Sequence, residues 1–134
     1  MNKPILCLDW DGVIHSYTSG WKGAEIIPDP PVPGALIFIF EALDHFRVAI
    51  FSSRSNQPGG ISAMKNSLRR WAIAAVGEGY WRDDPMLGWL NMVEWPTEKP
   101  AAFLSIDDRA ITFDGIWPAI ETLKAFKPWN KKGY

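Results

Sequence analysis

The chain has 134 residues, a formal net charge of −1 and one cysteine, Cys7. This length fits a single domain over residues 1–134 with its own apolar core, and a lone cysteine excludes an intrachain disulfide or a thiolate zinc site. A charge so close to zero predicts no bulk attraction to nucleic acid or to membranes. Because the first apolar run has only about five residues, too few for a signal peptide or a membrane span, we expect a cytoplasmic protein without membrane contact.

The N-terminal third predicts a strand, a long loop and a helix. Residues 4–9 form a continuous apolar run that ends in an acid, which is typical of a parallel strand buried on both faces. Residues 10–33 are rich in Gly, Pro, Ser and Asp and therefore predict a loop. Pro33-Gly34 then begins a helix that is predicted to extend to about His45, with proline in its first turn.

The middle of the chain predicts a second strand and a second, longer helix. Residues 47–51 are apolar after the initial arginine and predict a buried strand. In residues 60–76 apolar side chains recur at three- and four-residue steps, which predicts a helix. These side chains are Ile61, Met64, Leu68, Trp71 and Ala75. A short strand is predicted near 89–93, among turns.

The last third predicts one more strand and helix. Residues 102–106 form the strand, 118–126 the helix, and 128–134 a loose tail. Alternating strands and helices predict an α/β fold, with a mainly parallel sheet between two layers of helices. In such sheets, functional residues gather at the carboxyl ends of the strands.

Groups that handle phosphate or metal follow three of the predicted strands. They are Asp9-Trp10-Asp11 after the first, Ser52-Ser53-Arg54 after the second and Asp107-Asp108 after the last. Lys99 lies just before the last strand. Two carboxylates about 4 Å apart repel by about 4 kcal/mol at an effective dielectric constant near 20, so four of them at one edge require a cation. A ligand set made of oxygens favours Mg²⁺.

The same segments carry a family resemblance. Residues 5–13, ILCLDWDGV, resemble the first signature of the haloacid dehalogenase (HAD) superfamily of phosphatases, and residues 48–52 resemble the second. Lys99 resembles the third signature, and residues 106–108 resemble the fourth. The four occur in the family's order, and the resemblance covers the chain from residue 5 to about 114. It implies a three-layer α/β/α, Rossmann-like (HAD-like) domain.

The resemblance also implies roles in phosphomonoester hydrolysis. Asp9 would be the nucleophile that forms an aspartyl-phosphate, and Asp11 would be the general acid and base. Ser52 would bind a phosphoryl oxygen, and Lys99 would neutralise the phosphate. The implied Mg²⁺ ligands are Asp9, the main-chain carbonyl of Asp11, Asp107 and Asp108, with Asp108 binding directly and Asp107 through water.

Several residues next to these signatures are candidates for substrate contact. The backbone N–H groups of Trp10 and Asp11 are candidates for cradling phosphate, and Ser53 is close enough in sequence to reach substrate. Arg54 and Arg109 are candidates for gripping a second phosphate or a nucleic-acid backbone, and helix-start or surface ion pairing explains them equally well. Five tryptophans are candidates for stacking on a base, with ordinary packing the favoured alternative: Trp10, Trp21, Trp81, Trp89 and Trp95. Trp10 and Trp21 are the nearest of them to the catalytic loop. We interpret His15 as an ordinary loop residue.

The spacing of the signatures leaves no room for a cap domain. Only 40 residues separate Asp11 from Ser52, and 46 separate Ser52 from Lys99. This resembles the capless members of the family, whose open sites admit large substrates such as nucleotides or nucleic-acid ends. Residues 14–31 would form the only flap, and a second copy in a homo-oligomer is an alternative cover.

Two non-enzymatic hypotheses compete with the phosphatase. A receiver-like domain would place its acid pair after the first strand and its lysine after the last, which is not the order here. A catalytically inactive adaptor on the same fold is the other, and the presence of every expected acid speaks against it.

Overall fold

A computed structural model describes residues 3–81, 83–84 and 86–131, and contains one three-stranded parallel sheet. The strands are β1 (Ile5–Leu8), β2 (Arg47–Ile50) and β3 (Leu104–Ile106), in the spatial order β2-β1-β3. All three lie within the predicted apolar runs. The predicted α/β class with a parallel sheet is therefore confirmed.

Three helices connect and follow the strands. They are α1 (Ala35–Ala42), α2 (Gly60–Val76) and α3 (Ile120–Lys124), and all lie within the predicted helical segments. Gly34 and Gly59 precede α1 and α2 with φ angles of 86° and 76°. Glycine suits both positions because left-handed backbone is unfavourable for residues with a Cβ. No helix of the described residues is long and apolar enough to cross a bilayer.

The strand predicted near 89–93 is wrong. The segment forms a short 3-10 helix, Gly88–Met92, because the Asp84 carboxylate accepts the N–H groups of Gly88 and Trp89 at 3.0 Å each. Only Glu94 pairs with the sheet, through backbone hydrogen bonds of 2.9 Å with Val48 and Ile50. Periodicity cannot distinguish a strand from a helical turn in so short an apolar run. The Asp84 contacts decide between them, and the sequence pattern does not reveal those contacts.

The apolar core lies against one face of the sheet. Its members from the sheet are Leu6 and Leu8 of β1 and Val48 and Ile50 of β2, and they pack with buried residues of α1 and α2. The two helices also contact each other. This core holds β1 and β2 in place, so that their carboxyl ends lie side by side at one edge of the sheet.

The first residues of the segment predicted as a loose tail are held in place by hydrogen bonds. Trp129 and Asn130 donate hydrogen bonds to the backbone oxygens of Gly12 and Ser16, at 2.6 and 3.1 Å. A short 3-10 helix, Trp129–Lys131, carries both residues. Residues 132–134 lie outside the described part of the chain. The C-terminal segment therefore supports the loop that follows β1.

Candidate functional site

A tight turn follows β1 and carries the first two acids. The backbone oxygen of Trp10 accepts the N–H groups of Ile14 and His15, both at 2.9 Å, and the Gly12 N–H donates to the His15 oxygen at 2.8 Å. The Trp10 side chain is fully buried and stacks on Trp71, with ring centres 5.6 Å apart. The buried Trp10 indole thus anchors the turn to the core and is unavailable for stacking on a base.

Three of the predicted acids form one cluster. Asp9, Asp107 and Asp108 each place a carboxylate oxygen within 4.8 Å of those of the other two. The parallel pairing of β1 with β3 brings them together, because both strands end at the same edge. The predicted meeting of acids at this edge is therefore present for these three.

Asp108 is an almost fully enclosed acid of the cluster. Its side chain is only 3% exposed, and its Oδ1 atom has no hydrogen-bond partner among the described residues. Gly12, with a φ angle of 83°, lies so close that a Cβ at this position would collide with the Asp108 carboxylate. The first turn therefore needs glycine here both for its backbone and for the approach of Asp108.

Burial makes the ionised form of these acids unfavourable. It raises the pKa of Asp9 to about 7, against the opposing effect of the Trp10 N–H that Asp9 accepts at 2.8 Å, and the neighbouring charges of Asp107, Asp108 and Asp11 raise it further. Burial likewise raises the pKa of Asp108, although the Arg109 charge acts in the opposite direction.

A bound cation would relieve these penalties. The residues present fit such an ion because three carboxylates converge, one with an orphaned buried oxygen. Oxygen-only ligand sets suit hard divalent cations, and the cluster by itself does not select one of them.

Asp11 lies outside the cluster and is fixed by two buried partners. Arg54 donates from Nε to both carboxylate oxygens, at 3.0 and 3.2 Å, and His15 Nδ1 lies 2.9 Å from Oδ1. The Asp29 N–H donates to His15 Nε2 at 3.1 Å. Since Nε2 accepts, the ring proton belongs on Nδ1 and is donated to Asp11. This pair of contacts sets the direction of the Asp11 side chain.

Arg54, predicted to contact substrate, has its guanidinium group turned into the protein. The side chain is fully buried. Its Nη1 atom donates to the backbone oxygens of Gly23, Ala24 and Ile26, at 2.9, 2.9 and 3.1 Å. This placement favours a positioning role, in which Arg54 ties the flap to Asp11, over direct contact with phosphate.

Two adjoining cavities meet at Asp9, Ser52 and Ser53. The smaller, of about 170 Å³, is also lined by Lys99 and Asp107. The larger, of about 270 Å³, has a wall of five further residues: Asp11, Tyr17, Trp21, Asp108 and Arg109. Every predicted site residue except Trp10 and Arg54 therefore lines one of the cavities.

The turn after β2 fixes Ser52. Its Oγ accepts the Arg54 N–H at 3.2 Å, and its own N–H donates to Ser55 Oγ at 3.0 Å. These two bonds hold the hydroxyl beside Asp9 at the junction of the cavities.

The sequence interpretation missed two residues of the site and left a third open. It favoured an ordinary loop residue for His15 and gave Tyr17 no substrate role, while phosphate contact and surface ion pairing stayed equal alternatives for Arg109. The spacing of Asp11 and His15 across a glycine turn was the only available signal for His15, and it is weak. Tyr17, with a φ angle of 60°, reaches the cavity through an uncommon backbone conformation that sequence does not indicate.

Comparisons with protein-family models, with curated proteins and with solved structures found no significant match.

Proposed function

We propose that the chain is a phosphomonoester hydrolase that depends on a divalent cation, with Mg²⁺ the ion best suited to the site. In this proposal it is a HAD-like, three-layer, Rossmann-like domain without a cap. The observation that carries the proposal is the convergence of Asp9, Asp107 and Asp108 within 4.8 Å at the ends of two paired parallel strands. Loops and helices already fill the intervals before β2 and β3, which supports the absence of a cap.

Asp9 is the proposed nucleophile. A carboxylate oxygen of Asp9 attacks phosphorus and forms an aspartyl-phosphate while the bond from phosphorus to the leaving oxygen breaks. The ion, held by Asp9, Asp107 and Asp108, would offset negative charge where the carboxylates and the phosphate meet. The position of Asp9 at the junction of both cavities supports this role.

Asp11 is the proposed general acid and base. It protonates the leaving oxygen, then takes a proton from the water that attacks phosphorus and releases phosphate from Asp9. Among the described contacts, Asp11 Oδ1 accepts from both His15 and Arg54, whereas Oδ2 accepts from Arg54 only. Oδ2 is therefore the oxygen that we assign to proton exchange.

Ser52 and Lys99 are the proposed phosphate ligands. The Ser52 hydroxyl and the exposed Lys99 ammonium line the cavity that contains Asp9. A cation and a hydroxyl that line the same cavity as Asp9 would orient the phosphate for attack.

The proposal is tested by phosphate release from 4-nitrophenyl phosphate, nucleotides, sugar phosphates and phosphopeptides with Mg²⁺. We expect hydrolysis that EDTA removes and that Asp9→Asn abolishes with the fold retained by circular dichroism. Asp44→Asn, at an exposed acid after α1, is the matched control and should keep full activity. A folded wild-type protein that releases no phosphate from any substrate would support the inactive adaptor instead.

A further inference from the structure

Trp21 is a half-exposed aromatic side chain at the mouth of the candidate site. Its side chain is 46% exposed, and it lines the larger cavity together with Asp9 and Asp108. Of the five tryptophans that the sequence suggested for stacking, Trp21 is the one that lines this cavity, and Trp10 is buried. An indole at this place can contact whatever group is attached to a phosphate near Asp9.

Arg54 supports the indole from beneath. Its guanidinium carbon lies 4.7 Å from the centre of the Trp21 ring, and the arginine itself is fully buried. Its hydrogen bonds to Asp11 and to the flap oxygens hold the guanidinium plane in place. Arg54 covers one face of the Trp21 ring, so the opposite face and the ring edge are the exposed parts. A ring fixed before binding loses little freedom when a ligand stacks on it.

The rest of the cavity wall complements such a ligand. Tyr17 provides a second aromatic side chain, whose ring lies at 63° to that of His15 with 5.9 Å between the ring centres. Arg109, 59% exposed, supplies a cation at the rim. The cavity therefore combines acids at its base with aromatic walls and a positive charge at its opening.

We infer that Trp21 is a stacking platform for a planar ring in the leaving group, so that the substrate is a nucleoside phosphate. This inference rests on the proposed function. Stacking between a base and an aromatic side chain does not depend on the identity of the base, so adenine and pyrimidine phosphates are both expected to bind. Trp21 also covers the Arg54 guanidinium group, and loss of that cover would act on every substrate alike.

A selectivity ratio separates the platform from the shield. The ratio is kcat/KM for adenosine 5′-monophosphate divided by kcat/KM for glycerol 3-phosphate, since both substrates release a primary alcohol. We expect Trp21→Leu to lower this ratio by about tenfold, a typical loss for one stacked base, mainly through KM for the nucleotide. Trp21→Phe should recover part of it, and Trp117→Leu, at an 83% exposed tryptophan outside the cavity, should leave the ratio unchanged.

Two results would overturn the inference. Equal losses of kcat/KM with both substrates would make Trp21 a shield only, and unchanged kcat/KM values for both substrates would show that Trp21 contacts neither. If the wild type hydrolyses neither substrate, calorimetry with adenosine 5′-monophosphate and ribose 5-phosphate in Mg²⁺ decides separately. Preferential binding of the nucleotide that Trp21→Leu abolishes would uphold the platform while the proposed hydrolysis fails. Equal binding, or none, would reject the platform.

Discussion

The two strands that flank β1 have opposite environments although they belong to one sheet. Leu6 in β1 is opposite Val48 in β2 and Leu104 in β3. Leu6 and Val48 are 2% and 0% exposed, whereas Leu104 is 53% exposed. The core therefore covers β1 and β2 on this face but does not extend over β3.

The contrast continues along the C-terminal segment. Large apolar side chains there remain exposed: Ile111, Phe113, Ile116, Trp117, Ile120 and Phe126. The candidate site nevertheless draws its acids from both regions, with Asp9 after β1 and Asp107 and Asp108 after β3. Core packing therefore fixes the packed half of the acid cluster, Asp9 after β1. Strand pairing and local contacts hold the other half, Asp107 and Asp108 after β3.

The largest expected effect concerns the packed half. Ile50→Ala removes a fully buried side chain of β2 and should lower the free energy of unfolding by about 2–5 kcal/mol, because it leaves a cavity. Ile106→Ala, at a β3 residue that is 38% exposed, should cost clearly less. Urea unfolding of both variants measures the contrast, and equal losses would show that β3 is packed as firmly as β2.

The next effect concerns the contact between the two halves. Gly12→Ala should strain the turn and push Asp108 out of the cluster, because its Cβ would occupy the place of that carboxylate. We expect a loss of about 1–3 kcal/mol in unfolding free energy together with loss of Mg²⁺ binding. Gly20→Ala is the matched control, since Gly20 also has a positive φ angle, 75°, but nothing lies within 4 Å of its Cβ position. It should show the strain and keep the metal, and the idea fails if both variants bind Mg²⁺ alike.

A third effect follows from the raised pKa of Asp9. In the folded state without metal, burial raises the pKa of the Asp9 carboxyl from its ordinary value of 3.8 to about 7. Between these values Asp9 binds its proton in the folded state but not in the unfolded state, so the contribution of Asp9 to stability is full below the lower value and is lost as pH rises towards 7. In EDTA the thermal midpoint should therefore fall over this range, and Asp9→Asn should flatten the fall. Saturating Mg²⁺ should reduce the fall of the wild-type midpoint with pH. A midpoint that rises with pH in EDTA would contradict this account.

The smallest expected effect concerns the C-terminal contact with the first turn. Trp129→Phe keeps an aromatic ring but removes the Nε1 hydrogen bond to the Gly12 oxygen. We expect a loss of about 0.5–1.5 kcal/mol in urea unfolding, with a smaller change for Trp117→Phe at a more exposed ring. A larger loss for Trp117→Phe would show that the Gly12 contact is not a support.

The sequence predicted best those features that depend on local pattern. Continuous apolar runs located all three strands, and the parallel topology then explains why Asp9, Asp107 and Asp108 meet. The pattern failed at 89–93, where the Asp84 side chain stabilises a turn. The sequence pattern also did not indicate where the Arg54 side chain points or which groups bind His15. Both depend on the path of the loop from Tyr17 to Pro30, which brings carbonyl oxygens and the Asp29 N–H to these side chains.

Calorimetric titration of Mg²⁺ into the wild type and Asp108→Asn tests most directly whether the acids of the two halves share one ion. The account predicts one ion per wild-type chain and a loss of affinity of about tenfold or more in Asp108→Asn. Asp44→Asn should bind as the wild type does. Absence of binding to the wild type, or equal affinity in Asp108→Asn, would contradict the shared-ion site.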